Sequence, residues 1–149
     1  MTIQEMLRNR RILLVEDEYF VATEIAELLR SFGAEVVGPF ARLQPVLEAV
    51  RHEALDGALL DVRLDGETTE QVAVMLAARG VMVLLVTGYE AEQLPPGLRH
   101  LPRLGKPFSS GDLLQALRRL YSPEADDYHL DAVEEREHAP KPQRNQRTP

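Results

Sequence analysis

The chain has 149 residues, 44% of them hydrophobic and 28% charged, with a formal net charge of −7 and no cysteine. That length suits one domain with a real core, since about 150 residues bury roughly 70% of the unfolded surface. The lack of cysteine excludes disulfides, thiolate metal sites and cysteine nucleophiles, and the acidic balance argues against nucleic acid as the main partner.

Arg8, Arg10 and Arg11 are followed by no apolar segment of signal-peptide length. The longest fully apolar run, residues 81–86, falls far short of the ~20 residues of a membrane-spanning helix. A cytoplasmic location, with no membrane partner, is the simplest expectation.

Residues 1–10 are expected to be an extension ahead of a first strand at 12–15. A helix is predicted over 18–32, because Val21, Ile25, Leu28, Leu29 and Phe32 share one face of a 3.6-residue period. Gly33 is placed to end it. A second strand at 35–38 stops at Pro39, and the following helix lines up Leu43, Val46, Leu47 and Val50. Strand three is 57–60, a third helix covers 67–79, and strand four takes the apolar run 81–86.

Within 91–98, Pro95, Pro96 and Gly97 restrict a fourth helix to about one turn, because proline removes a donor and clashes with the preceding turn. A short fifth strand at 101–104 leads to a last helix carrying Leu113, Leu114, Leu117 and Leu120, with Ser109 and Asp112 spaced as a capping pair. Strands alternating with helices predict an α/β domain over 11–121: a doubly wound, five-stranded parallel sheet between two helical layers. Residues 122–149 hold four prolines, an acidic first part and a basic end. They are expected to form a disordered tail with room for a short helix at 131–137. No second globular domain is expected after Tyr121, so any output would run through another molecule.

Ligands of such sheets bind beyond the carboxyl ends of the strands, and the polar residues cluster there in the sequence. Glu16 and Asp17 follow the first strand, Asp61 the third, Thr87 the fourth, and Lys106 with Pro107 the fifth. Taken singly each has a plain structural explanation: Asp17 as a helix cap, Asp61 as a turn acid, Lys106 as a surface lysine, Thr87 as a β-branched strand residue. Four at the ends of separate strands point to a site. Clustered acids repel unless a cation lies between them, and hard oxygen ligands suit Mg²⁺. Beside such a cation an aspartate carboxylate can attack phosphorus, with Lys106 supplying a point charge and the Thr87 hydroxyl a hydrogen bond.

Across about residues 11–121 the chain resembles a response-regulator receiver domain. The resemblance is carried by Val15, Glu16, Asp17 and Glu18, by Asp61 with Leu64 and Gly66, by Thr87 with Gly88, and by Lys106, Pro107 and Phe108. It implies a flavodoxin-like fold and a phosphoacceptor signalling protein rather than an enzyme acting on a separate substrate. By the same resemblance, Asp61 accepts a phosphoryl group from a histidine kinase or a histidine phosphotransfer protein. Asp17 and Asp61 ligate Mg²⁺ with the main-chain carbonyl of Arg63, Glu16 assists, and Lys106, after which a cis bond to Pro107 is expected, contacts the phosphate.

Many receivers carry an aromatic switch residue three places before the lysine, where this chain has Arg103. Thr87, Gly88 and Tyr89 instead resemble the Thr-Gly-aromatic signature of the FATGUY subgroup, which implies a kinase of the HWE type and makes Thr87, Gly88 and Tyr89 the expected switch. Two further readings stand beside this one. In a Toprim-like metal-dependent nuclease or phosphotransferase, the second acid of an Asp-x-Asp pair would fall at Arg63, where a cation opposes metal binding. In a phosphate-sink receiver, the phosphoryl group would drain from a kinase to no further partner.

Overall fold

The computed structural model describes residues 1–121, and the expected tail at 122–149 lies outside them. The chain runs α1 (Ile3–Leu7), β1 (Arg11–Val15), α2 (Tyr19–Ser31), β2 (Glu35–Phe40), α3 (Leu43–His52), β3 (Gly57–Leu60), β4 (Arg63–Leu64), β5 (Glu67–Thr68), α4 (Glu70–Ala78), β6 (Met82–Thr87), β7 (Arg103–Gly105) and α5 (Ser110–Tyr121). β2, β1, β3, β6 and β7 form one parallel sheet in that spatial order. The order reverses between β1 and β3, which is the topological switch point of a flavodoxin-like sheet.

Alternation along each strand divides the core. Leu13, Val15, Ala58, Leu60, Val83 and Leu85 pack beneath α3 and α4, while Ile12, Leu14, Leu59, Leu84 and Val86 pack beneath α2 and α5. Strands apolar on both faces are what a parallel sheet covered on two sides demands. No helix among the described residues is long and apolar enough to cross a membrane.

Several elements depart from the sequence expectation. Residues 1–10 contain α1, which opens on a reciprocal cap in which the Thr2 amide donates to Glu5 at 2.8 Å and the Glu5 amide to Thr2 Oγ1 at 3.1 Å. Its Ile3, Met6 and Leu7 are buried, so this segment joins the core. Pro39 lies inside β2 rather than after it, as an edge strand tolerates. The third helix starts at Glu70, because residues 63–68 form a β4–β5 hairpin that turns through Asp65 and Gly66 at φ 51° and 86°. In place of a fourth helix, Ala91–Gln93 and Pro96–Leu98 make two separate 3-10 turns; Pro95 between them and Pro96 at the start of the second prevent a continuous ladder. The fifth strand is shifted to Arg103–Gly105. At α5 the expected capping pair is present: the Ser109 amide donates to Asp112 Oδ2 and the Asp112 amide to Ser109 Oγ, both at 3.0 Å.

Candidate functional site

Main-chain rungs tie the carboxyl ends of the strands together. The Asp61 amide donates to Val15 O, the Lys106 amide to Thr87 O and the Glu16 amide to Phe40 O, each at 2.9 Å. The last of these depends on an irregularity in β2, where pairing passes from Leu13–Val37 to Val15–Phe40. Gly38 makes the bulge feasible: its φ is +116°, and a Cβ there would stand 2.7 Å from Leu14 O. Only glycine adopts such a position without strain.

Glu16 and Asp61 are buried, at 2% and 9% exposure. Lys106 Nζ reaches three carboxylates, lying 2.8 Å from Glu18 Oε1, 2.9 Å from Glu16 Oε1 and 3.3 Å from Asp61 Oδ2. Glu16 Oε2 accepts from the Glu18 amide at 3.0 Å. Glu16 Oε1, although ion-paired with Lys106, is buried without a directed hydrogen bond. Carboxylate oxygens of Glu16, Asp17 and Asp61 all lie within 4.8 Å of one another. An oxygen-only set with one underused buried acceptor fits a hard divalent cation such as Mg²⁺.

The electrostatics follow from this packing. Burial, reinforced by the Asp61 charge, pushes the Glu16 carboxyl up to about 7, against the opposing pull of Lys106 and the Glu18 amide. Burial opposes the Lys106 charge, but the hydrogen bond to Glu18, together with Glu16 and Asp61, outweighs it and holds the ammonium above its ordinary range. Lys106 therefore stays a cation.

Thr87 is 1% exposed, and its Oγ1 accepts from the Tyr89 amide at 3.1 Å. Gly88 connects the two in open space. Tyr89 lies at the surface, with its carbonyl accepting from Arg103 Nη1 at 3.2 Å and the Arg63 guanidinium 6.0 Å from its ring centroid. Arg63 begins β4, two residues past Asp61. The fold thus brings together Glu16, Asp17, Asp61 and Lys106, ties Thr87 to Lys106 through the main chain, and places Gly88 and Tyr89 on the adjoining loop. The expected Lys106–Pro107 bond is cis, as is Gly38–Pro39.

Two contributors have no role in the sequence reading. Thr69 is fully buried, and its hydroxyl donates to Asp61 O at 2.7 Å with Val62 O at 3.3 Å. It clamps the main chain of the central acid, and the second threonine of the pair Thr68–Thr69 gives no sign of this in the sequence. Glu18 was visible beside the acid pair, but its reach to Lys106 depends on the fold.

No family model matches the chain. It is 29% identical over 112 residues to the transcriptional regulatory protein PdtaR of Mycobacterium tuberculosis, an alignment covering 72% of this chain and 55% of PdtaR. The chain thus spans little more than half the length of that relative. It is 32% identical to SdrG from Sphingomonas melonis Fr1, with a TM-score of 0.67 over 80% of this chain and 98% of SdrG. The receiver domain of the sensor histidine kinase PA1611 from Pseudomonas aeruginosa PAO1, solved with a magnesium ion coordinated in its active site cleft, is 25% identical with a TM-score of 0.66, covering 76% and 98% of the two chains. These neighbours lend no support to the nuclease reading. With the sheet order and the strand-end site, they place this chain in the response-regulator receiver family of two-component signalling.

Proposed function

We propose that residues 11–121 act as a phosphoacceptor switch in which Asp61 takes a phosphoryl group from a histidine kinase, of the HWE type by the FATGUY-like signature, or from a histidine phosphotransfer protein. The observation that carries this reading is the convergence of Asp61, Lys106, Glu16 and Asp17 at one sheet edge. An Asp61 carboxylate oxygen attacks phosphorus, the donor's P–N bond breaks with its electron pair left on the imidazole, and an acyl phosphate forms. Asp17, Asp61 and the Arg63 carbonyl would hold Mg²⁺, with Glu16 assisting. When bound, the cation supplies charge that offsets the acids and the phosphoryl oxygens. Lys106 holds the transferred group electrostatically. The chain modifies itself and turns over no separate substrate.

Switching runs through Thr87. Its hydroxyl now accepts from the Tyr89 amide; turned toward a phosphoryl oxygen as donor, it releases that amide and lets the loop of Gly88 and Tyr89 move. The two 3-10 turns that follow have few ladder bonds to resist displacement. A downstream protein would read the altered face. The test is incubation with Mg²⁺ and acetyl phosphate, followed by intact-mass measurement. A gain of one phosphoryl by the parent and none by Asp61→Asn supports the reading, and equal gain by both overturns it.

A further inference from the structure

Lys106 donates hydrogen bonds to Glu18 Oε1 and Asp61 Oδ2 and is ion-paired with Glu16 Oε1, so three carboxylates already hold its ammonium before a fourth anion arrives. The three partners differ in what they lose on release. The side chains of Glu16 and Asp61 are 1% and 12% exposed, whereas that of Glu18 is 60% exposed. A buried carboxylate left alone forfeits its counter-charge without gaining water, but an exposed one is hydrated at once. Glu18 stands at the N-cap position of α2 and makes no side-chain capping bond there, so the helix does not require its carboxylate. Glu18 and Lys106 also line a pocket of about 380 Å³ together with Val21, Glu24, Pro107 and Phe108.

We infer that Glu18 is a displaceable counter-ion: it holds Lys106 in the resting protein, competes with the arriving phosphoryl group for that ammonium, and so sets how fast Asp61 is charged and how long it stays charged. This inference rests on the phosphoacceptor reading. With acetyl phosphate as donor, a P–O bond forms to Asp61 and the donor's P–O bond breaks, its electron pair leaving with acetate. The product carries more negative charge than the Asp61 carboxylate it replaces, and Lys106 must turn a proton toward it. The Glu18 contact, nearest of the three yet the least costly to open, is the one that yields. Glu18 is a positioning residue in this scheme, acting through Lys106.

The experiment compares the parent with Glu18→Gln and Glu18→Asp. Charging by acetyl phosphate in Mg²⁺ and decay after donor removal are followed by intact mass, and ¹⁵N NMR reads proton exchange of the Lys106 ammonium without Mg²⁺. Glu18→Gln is expected to charge about two- to fivefold faster and decay slower by a similar factor, the size an exposed ion pair supports, with faster ammonium exchange; Glu18→Asp should fall between. In a Lys106→Gln background the Glu18→Gln effect should vanish. Unchanged rates and exchange overturn the inference, as does an effect that persists undiminished without Lys106, which would mark simple charge repulsion. A parent that accepts no phosphoryl group overturns the phosphoacceptor reading itself, and the inference with it. A charging parent matched by Glu18→Gln removes only the role of Glu18.

Discussion

Replacing Glu16 by glutamine isolates the energetics of the buried carboxyl. Burial holds that group at about 7 against an ordinary 4.5, so the folded chain binds its proton more tightly than the unfolded chain does. The sign follows: this group's contribution to stability is complete below about 4.5 and is lost as pH rises through about 7. At about 1.4 kcal/mol per pH unit, the full loss is on the order of 3 kcal/mol, most of it falling between about pH 5 and pH 8. Glu16→Gln has no such proton to lose. Urea unfolding at fixed ionic strength, in chelator, should show the mutant gaining roughly 2 to 3 kcal/mol on the parent across that interval. Excess Mg²⁺, which favours the charged carboxylate, should close much of the gap. A difference that stays flat with pH would show that the packing does not hold Glu16 protonated, and the electrostatic account of the site would fall.

Other substitutions test the scaffold that aims these groups. Thr69→Val keeps shape but leaves Asp61 O without its hydroxyl donor, so urea unfolding should show a loss of about 1 to 3 kcal/mol, while Thr69→Ser stays near the parent. Gly38→Ala forces a side chain onto φ +116° and against Leu14 O; a comparable loss of about 1 to 3 kcal/mol is expected, and an unchanged denaturation midpoint would refute the need for glycine in the bulge. Ser109→Ala removes half of the reciprocal cap on α5 and should cost about 1 kcal/mol by the same assay.

The strand ends were legible because a parallel sheet writes each strand as a short apolar run, and the residue after each run is then placed without further information. β3 follows the run Gly57–Leu60, and Asp61 stands directly after it. Elements decided by local competition were not. The segment from Glu67 to Thr69 has helix-compatible spacing, yet Asp65 and Gly66 at positive φ turn it back into a hairpin, and Thr69 closes that hairpin by capping Asp61 O. The Thr2–Glu5 spacing did carry a capping signal for α1, but five residues are too few for periodicity to show. Glu18 belongs to the run from Val15 that carries the family resemblance, but its ion pair joins positions 88 residues apart, which no local pattern encodes. The site chemistry was readable from residue types at strand ends, whereas its supports depend on where distant backbone atoms arrive.

In the proposed switch Asp61 itself carries the transferred group. Protein treated with acetyl phosphate and Mg²⁺ can be reduced with borohydride, which attacks an acyl phosphate and leaves free carboxylates untouched, and then mapped by peptide mass. The reduced side chain is expected at position 61, with no change at Glu16 or Asp17. Reduction at either of those acids in place of Asp61, or none anywhere in protein that has gained a phosphoryl mass, would contradict it.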